Sequence, residues 1–221
     1  MQAVDCAVIA AAGLGSRLGL GLPKCMLEIE GRTLLTRLVN ALRPHVPRIH
    51  VVVGYREELI IEHCALHHRD VILVRNPDFR TTNTAQSMRM GATGVSGKVL
   101  FLDGDLLIAD ESLGGFIQRA ATVPMLVGIA PTRSEQAVCV DLDDHADGVR
   151  VTGFTRSESK PYEWANVVAG PASILDQATG YVFEKLSTYL PVPACELDLR
   201  EVDTPADLEF ATAFAASLDA T

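Results

Sequence analysis

The residues best suited to chemistry lie in one glycine-rich stretch near the N-terminus, Ala10-Ala-Ala-Gly-Leu-Gly-Ser-Arg-Leu-Gly-Leu-Gly-Leu-Pro-Lys24. Glycines at 13, 15, 19 and 21 let the backbone come close to a ligand, and successive N–H groups turned inward form a concavity for an anion. Arg17 and Lys24 set fixed positive charge beside that concavity, and Pro23 stiffens the chain just before the lysine. This is chemistry for phosphate. A second group is acidic. Asp103-Gly-Asp105 follows the strongly apolar run 98–102, and two carboxylates across a glycine bend suit a hard cation. Near the C-terminus, Asp203-Thr-Pro has the order strand end, cap and first-turn proline.

Two familiar phosphate loops fail on the residues. A dinucleotide-binding G-x-G-x-x-G needs glycine at 18, where Leu18 stands, and an acidic residue closing the second strand, where Gly54-Tyr55 stands. A Walker A loop needs Gly-Lys-Ser/Thr, whereas Lys24 follows proline and precedes Cys25. What remains, G-x-G-x-R followed by P-K, resembles the nucleotide-binding loop of the sugar-nucleotide and cytidylyl transferases. The segment Asn76-Pro-Asp-Phe-Arg-Thr-Thr-Asn-Thr-Ala-Gln-Ser87 resembles the part of the cytidylyl members that reads the base, with Thr84 where a second asparagine is typical. Gly104-Asp105 and the closing Asp203-Thr-Pro-Ala-Asp-Leu208 match two further family positions in order.

The resemblance, nearest to the small phosphocholine and phosphonate cytidylyltransferases, implies a set of roles. The nucleoside triphosphate would bind at Ala11, Ala12, Gly13, Leu14, Gly15, Ser16, Arg17 and Lys24, with Asn83, Thr84 and Ser87 toward the base and Asp103 near the ribose. Arg17 and Lys24 would be the catalytic cations. Mg2+ would be held by Asp105 and Asp203, with Asp207 or Asp198 as alternatives to the latter. Arg156 or Lys160 would meet the acceptor's phosphate, and Tyr162 and Trp164 would wall its other end, where a quaternary ammonium could make a cation–π contact. The implied reaction is attack of an acceptor phosphate or phosphonate oxygen on the α-phosphorus of a nucleoside triphosphate, CTP by preference, with loss of pyrophosphate. A phosphate monoester is largely a dianion at neutral pH, so no general base is needed. Sugar-1-phosphate transfer with UTP, dTTP or GTP is the alternative within the family. Outside it stand a nicotinamide-dependent oxidoreductase and a nucleotide-binding regulator without catalysis.

The elements needed to position these groups are legible as periodicity. Residues 6–12, 49–53, 71–74 and 98–102 are short apolar runs, the signature of strands buried on both faces. Between them, Thr33 caps a helix whose apolar positions recur every 3.6 residues to Leu42, 57–66 forms a second helix, and Asn83 with Gln86 reads as a capping box for a third. Strand–helix alternation predicts right-handed crossovers with helices on both faces of the sheet. Residues 138–142 and 149–154 read as a hairpin, 165–169 as a strand, Pro171 as a helix start, and 195–202 as an extended return to the site. The expected fold is therefore α/β, three α/β/α layers, Rossmann-like, with a mainly parallel mixed sheet and a small antiparallel excursion; the resemblance implies that it is of the GT-A-like nucleotidyltransferase type. One domain over 1–221 is expected, binding nucleotide with about 1–110 and acceptor with about 111–221.

Composition narrows the partners. The chain of 221 residues carries a formal charge of −9, which disfavours nucleic acid and anionic membrane as partners, and no apolar run is long enough for membrane insertion. The N-terminus lacks the basic flank of a secretory signal, and the five scattered cysteines have no metal-ligand spacing, as in a reduced cytoplasmic protein. Cys25 is expected to pack as a buried thiol under the loop. A homo-oligomer is compatible with all of this.

Overall fold

The structure is a computed structural model that describes residues 3–15, 21–134 and 136–218. In chain order the elements are β1 (Val4–Ala11), β2 (Glu28–Ile29), β3 (Arg32–Thr33), α1 (Leu34–Leu42), β4 (Ile49–Val53), α2 (Glu57–His67), β5 (Ile72–Arg75), α3 (Thr84–Gly91), β6 (Lys98–Asp103) and β7 (Leu106–Ile108). There follow α4 (Asp110–Ala120), β8 (Leu126–Pro131), β9 (Cys139–His145), β10 (Gly148–Thr155), β11 (Tyr162–Pro171), α5 (Val182–Leu186), β12 (Val192–Glu196), β13 (Leu199–Glu201) and α6 (Pro205–Leu218). Among the described residues the main sheet has nine strands in the order β5-β4-β1-β6-β11-β8-β12-β10-β9. β1 pairs in parallel with β4 and β6, β4 with β5, and β8 with β12, whereas β10 and β11 run against their neighbours. The fold is thus α/β with a mixed, mainly parallel sheet.

Alternation along the strands builds two cores. Ala7, Ile9, Val51, Val53, Leu100 and Leu102 point to one face and pack on Leu35, Leu38 and Leu42 of α1, Ile60 of α2 and Phe116 of α4. Cys6, Val8, Val52, Val99 and Phe101 point to the other, against Met88 of α3 and Ile174, Leu175 and Leu186. Burial on both faces is why these runs are apolar throughout rather than alternating. A third, smaller cluster joins Leu27, Ile29, Leu34, Leu107, Val202, Ala211 and Phe214. It ties the segment after Lys24 to β7, to the return after β13 and to α6, and so brings remote acidic and basic residues together.

Topology places the site. From β1 the chain winds outward to β4 and β5, then crosses to the opposite side of β1 to form β6. The carboxyl ends of β1 and β6 therefore bound the crevice at which ligands bind in open α/β sheets. Gly104 makes this crevice tight: its N–H donates to the Ala10 carbonyl at 2.9 Å, and a Cβ at 104 would lie 2.9 Å from that oxygen.

The second half departs from expectation in detail. Between β6 and β8, joined by α4, the sheet leaves one strand position, and β11 fills it from the opposite direction. β11 also starts at Tyr162, ahead of the strand expected over 165–169, so Tyr162 and Trp164 belong to it. The helix expected at Pro171 is a 3-10 turn, Ala172–Leu175, because Asp176 is extended and Gln177 takes φ of +60°. The return segment breaks into β12 and β13, with Leu197 N–H bonding the Ile129 carbonyl between them.

Candidate active site

The glycine loop leaves β1 at Ala11, and the Ala12 carbonyl accepts from Tyr55 N–H at 3.1 Å. Ala11 and Ala12 are buried, whereas Gly13 and Leu14 are exposed at the mouth of the crevice. Gly15 has φ of +59°, and a Cβ there would meet Lys24 Cγ at 3.2 Å, so glycine is required both for the turn and for passage of the lysine stem. Ser16 and Arg17 lie outside the described residues. Lys24 opens a 3-10 turn, Lys24–Met26, preceded by Pro23 and anchored by buried Cys25. The Cys25 thiol is pushed far up by burial and then by the nearby Asp105 carboxylate, so it stays protonated.

From this turn the Lys24 ammonium reaches two acids from distant parts of the chain. It lies 2.8 Å from Asp105 Oδ2 and also pairs with Asp203 Oδ1. A short antiparallel ladder sets those acids side by side: β7 pairs with β13, Glu201 opposite Leu106, and Val202 N–H donates to the Asp105 carbonyl at 3.0 Å. Asp105, Glu201 and Asp203 each present a carboxylate oxygen within 4.8 Å of the others. Glu201 was not among the sequence candidates. Its signal was available, since residues two apart in an extended segment share a side and Glu201 stands two before Asp203 in the extended return expected over 195–202.

The residues fit a divalent cation. The buried Oδ1 atoms of Asp103 and Asp105 have no hydrogen-bond partner among the described residues, and hard oxygen donors converge from two strand ends. Burial, followed by the Asp105 and Glu201 charges, holds the Asp103 carboxyl well above the usual carboxylate range, with Lys24 opposing. Asp203 is released from capping duty: Thr204 Oγ1 accepts from Asp207 N–H at 3.3 Å, and Asp207 Oδ2 accepts from Thr204 N–H at 2.8 Å. Asp207 is thereby engaged in the cap, and Asp198 pairs with Arg200 at 3.1 Å, so neither alternative joins the cluster.

A family model described as the MobA-like NTP transferase domain matches residues 7–178. The chain belongs to that family. The match runs from β1 through the 3-10 turn after β11 and stops short of Glu201 and Asp203. Across 133 residues, 58% of this chain, it is 32% identical to a CMP-5'-(3-aminopropyl)phosphonate synthase of Streptomyces rubellomurinus, covering 20% of that protein. The chain spans about a fifth to a quarter of the length of the curated relatives it matches. Solved structures of the same fold include the inositol-1-phosphate CTP transferase from T. maritima, with TM-score 0.76, 20% identity and coverage of 99% of this chain and 98% of that one. A UDP-glucose pyrophosphorylase from Acinetobacter baumannii aligns with TM-score 0.77, 14% identity and coverage of 96% and 93%.

In this family member two cavities open from the acidic cluster. The smaller, 200 Å³, is lined by Thr84, Asp103, Arg156, Trp164, Tyr181 and Asp203 among others. The larger, 950 Å³, extends between Trp164 and the α6 residues Phe210 and Phe214. Of the base-side candidates, Thr84 faces a cavity. Asn83 is turned inward: its Oδ1 accepts from Gln86 N–H at 3.2 Å and its amide donates to the Thr179 and Gly180 carbonyls. Ser87 is buried and accepts from Asn76 Nδ2 at 2.9 Å. Asn76 itself, fully buried, also bonds Thr82 Oγ1 and takes Asp78 N–H on its Oδ1, holding the loop that presents Thr84.

The acceptor-side candidates divide. Arg156 lines the smaller cavity with its guanidinium 4.4 Å from the Tyr181 ring and 4.9 Å from that of Phe183. Trp164 lines both cavities while its edge packs in the core. Lys160 and Tyr162 line neither. Lys160 pairs with Glu158 at 2.9 Å and Asp141 at 3.2 Å, and the Tyr162 hydroxyl meets Glu196 at 3.3 Å. Lys160 precedes β11 and Tyr162 is its first residue, whereas Glu163, Trp164 and, in the bulge that follows, Asn166 line the cavities. Glu163 is held by Arg133 N–H at 2.9 Å, and Asn166 takes φ of +56°. No helix among the described residues is long and apolar enough to cross a membrane.

Proposed function

We propose that this chain is a cytidylyltransferase-type nucleotidyltransferase: a phosphate or phosphonate oxygen of a small acceptor attacks the α-phosphorus of CTP, giving a CMP-linked product and pyrophosphate. The observation that carries this reading is the convergence of Lys24 with Asp105, Glu201 and Asp203 at the carboxyl ends of β1 and β6, in a member of an NTP transferase family. The relative named for a CMP-phosphonate product and the structural likeness to a CTP transferase support the choice of nucleotide and acceptor.

In this reading the loop from Gly13 to Arg17 cradles the β- and γ-phosphates through backbone N–H groups, and Thr84, backed by Asn83 and Ser87, addresses the base. Asp105 and Asp203, with Glu201 beside them, would hold Mg2+, which when bound offsets the charge of the phosphates and stabilises the leaving group. Asp103 sits toward the ribose. Arg17 and Lys24 reduce repulsion between two anionic reactants and stabilise charge that develops on pyrophosphate. Arg156 would bind the acceptor's anionic group, with Trp164 as a wall. The domain acts as one unit in the cytoplasm, with no nucleic acid or membrane partner.

A second reading, transfer to a sugar-1-phosphate from UTP, dTTP or GTP, is favoured by the larger cavity, whose 950 Å³ has room for a hexose. One assay tests both. Purified protein with Mg2+ is given each of four nucleoside triphosphates with phosphocholine, aminoalkylphosphonates or sugar-1-phosphates, and pyrophosphate release is measured. Release confined to CTP with a phosphonate or phosphocholine acceptor is expected. Release confined to UTP and a sugar phosphate selects the second reading, and no triphosphate binding at all overturns both.

A further inference from the structure

Lys24 occupies the acids that would hold the cation. Its ammonium lies 2.8 Å from Asp105 Oδ2 and pairs with Asp203, two of the three groups whose oxygens lie within 4.8 Å of one another. An ammonium and a divalent ion drawing on the same oxygens compete for them. We propose that Lys24 is a resident counter-cation of Asp105 and Asp203 and yields them to a divalent cation, so that cation entry and delivery of Lys24 to the phosphates are one event. The inference rests on the proposed function in taking the acids as a cation site.

The surroundings permit that exchange and direct it. Lys24's backbone is fixed, since its carbonyl accepts from Leu27 N–H at 3.0 Å and Cys25 beside it is buried, so displacement has to be a movement of the side chain. The stem runs past Gly15, close enough that a Cβ there would touch Cγ. An ammonium driven off the carboxylates along this stem arrives at the glycine loop, where the proposed function puts phosphate. In the absence of the ion, the lysine offsets repulsion between the partly buried carboxylates it pairs with. Lys24 thus serves in sequence as counter-ion and as phosphate ligand.

The test uses nucleotide-free full chain and Mn2+ as the probe, with free Mn2+ followed by its electron paramagnetic resonance signal. Lys24→Met, which keeps the stem and removes the charge, is expected to bind Mn2+ about tenfold or more tightly than the wild type. Equal or weaker binding by the variant overturns the proposal and leaves the cation site standing. Absence of Mn2+ binding by both proteins overturns the proposal and the cation-site part of the functional reading together. The wild type provides an independent measurement should the variant fold poorly. The chain has four lysines, at 24, 98, 160 and 185, so acetylation rates can be read site by site by mass spectrometry. Mn2+ is expected to accelerate labelling of Lys24 severalfold while Lys160 and Lys185 stay constant; unchanged or slower labelling of Lys24 overturns the proposal.

Discussion

The molecule contains two clusters of ionisable side chains built on opposite principles. Around Thr36 the groups form a closed chain. Arg43 can only donate, so its 3.3 Å contact makes His68 Nδ1 the acceptor; His68 Nε2–H then donates to Thr36 Oγ1 at 2.9 Å, and that hydroxyl meets His63 Nε2 at 2.8 Å. Arg43 in turn pairs with Asp70 at 2.8 Å. The chain fixes the His68 tautomer, pins α1 to α2 and borders neither of the cavities that open from the acidic site. Around Asp105 the groups are left open: two enclosed carboxylate oxygens lack partners among the described residues, like charges face one another, and two cavities begin there. A polar cluster whose hydrogen bonds close on themselves is architecture. One that leaves acceptors aimed into a cavity is arranged for something that arrives later.

That contrast predicts opposite responses to mutation. Asp105→Asn and Asp203→Asn are expected to lower pyrophosphate release by about 10³-fold with the circular dichroism spectrum unchanged; retention of activity in a folded variant would remove the acid from the site. Lys24→Ala should lower turnover by about 10²-fold or more at the same time as cation binding strengthens, a divergence measurable by running the two assays on one preparation. At the closed cluster the sign reverses. Thr36→Val leaves the buried His68 N–H without its acceptor and should cost about 1–3 kcal/mol in urea unfolding, while turnover per folded molecule is retained. The Thr204→Ala variant loses the α6 cap at a cost of about 1 kcal/mol and loosens Asp203, so it lies between the two classes, with a small loss of both stability and rate.

Acid sharpens the same comparison. Burial first, then the neighbouring imidazole of His67, holds His63 below the ordinary histidine range, with Glu28 opposing. His68 is likewise lowered by burial, then by His63 and Arg43, with Asp70 opposing. The fold therefore favours neutral rings, whereas the unfolded chain protonates near the ordinary value of about 6.5. Stability from this cluster is complete above about pH 6.5 and is lost as pH falls through it toward the lowered folded values, so the melting temperature should drop over that window. An acid-insensitive melting temperature would argue against the neutral chain.

The legible part of the site is the part whose chemistry and local geometry coincide. Gly15, Lys24, Asp105 and the Asn83–Gln86 capping box stand at strand ends and helix starts that periodicity marks, so reading the elements locates the residues. Asp203 required a decision between cap and ligand, and the adjacent Thr204–Asp207 pair, visible in the sequence, already supplied the cap. Lys160 and Tyr162 misled because β11 begins at Tyr162, before the apolar run does, and both side chains are taken up by acids at that end, Asp141 and Glu158 for Lys160 and Glu196 for Tyr162, while the bulge after Trp164 carries Asn166. Which side chains face inward there depends on register against β6 and β8, and no local pattern encodes a bulge.

By itself, then, the chain's order of apolar runs and turn residues determined an α/β sheet, the crossovers that make its first half parallel and the glycine loop at the end of β1, because these follow from burial on two faces and from backbone sterics over a few residues. Tertiary structure alone decided that Glu201 joins Asp105 and Asp203, that Lys24 lies among them, and that Asn166 and Glu163 rather than Lys160 and Tyr162 face the cavities. The physical reason is distance along the chain: residues 24, 105 and 203 meet only because Leu27, Leu107, Val202 and Phe214 share one apolar cluster, and a contact closed across so many residues is fixed by packing rather than by neighbours in sequence.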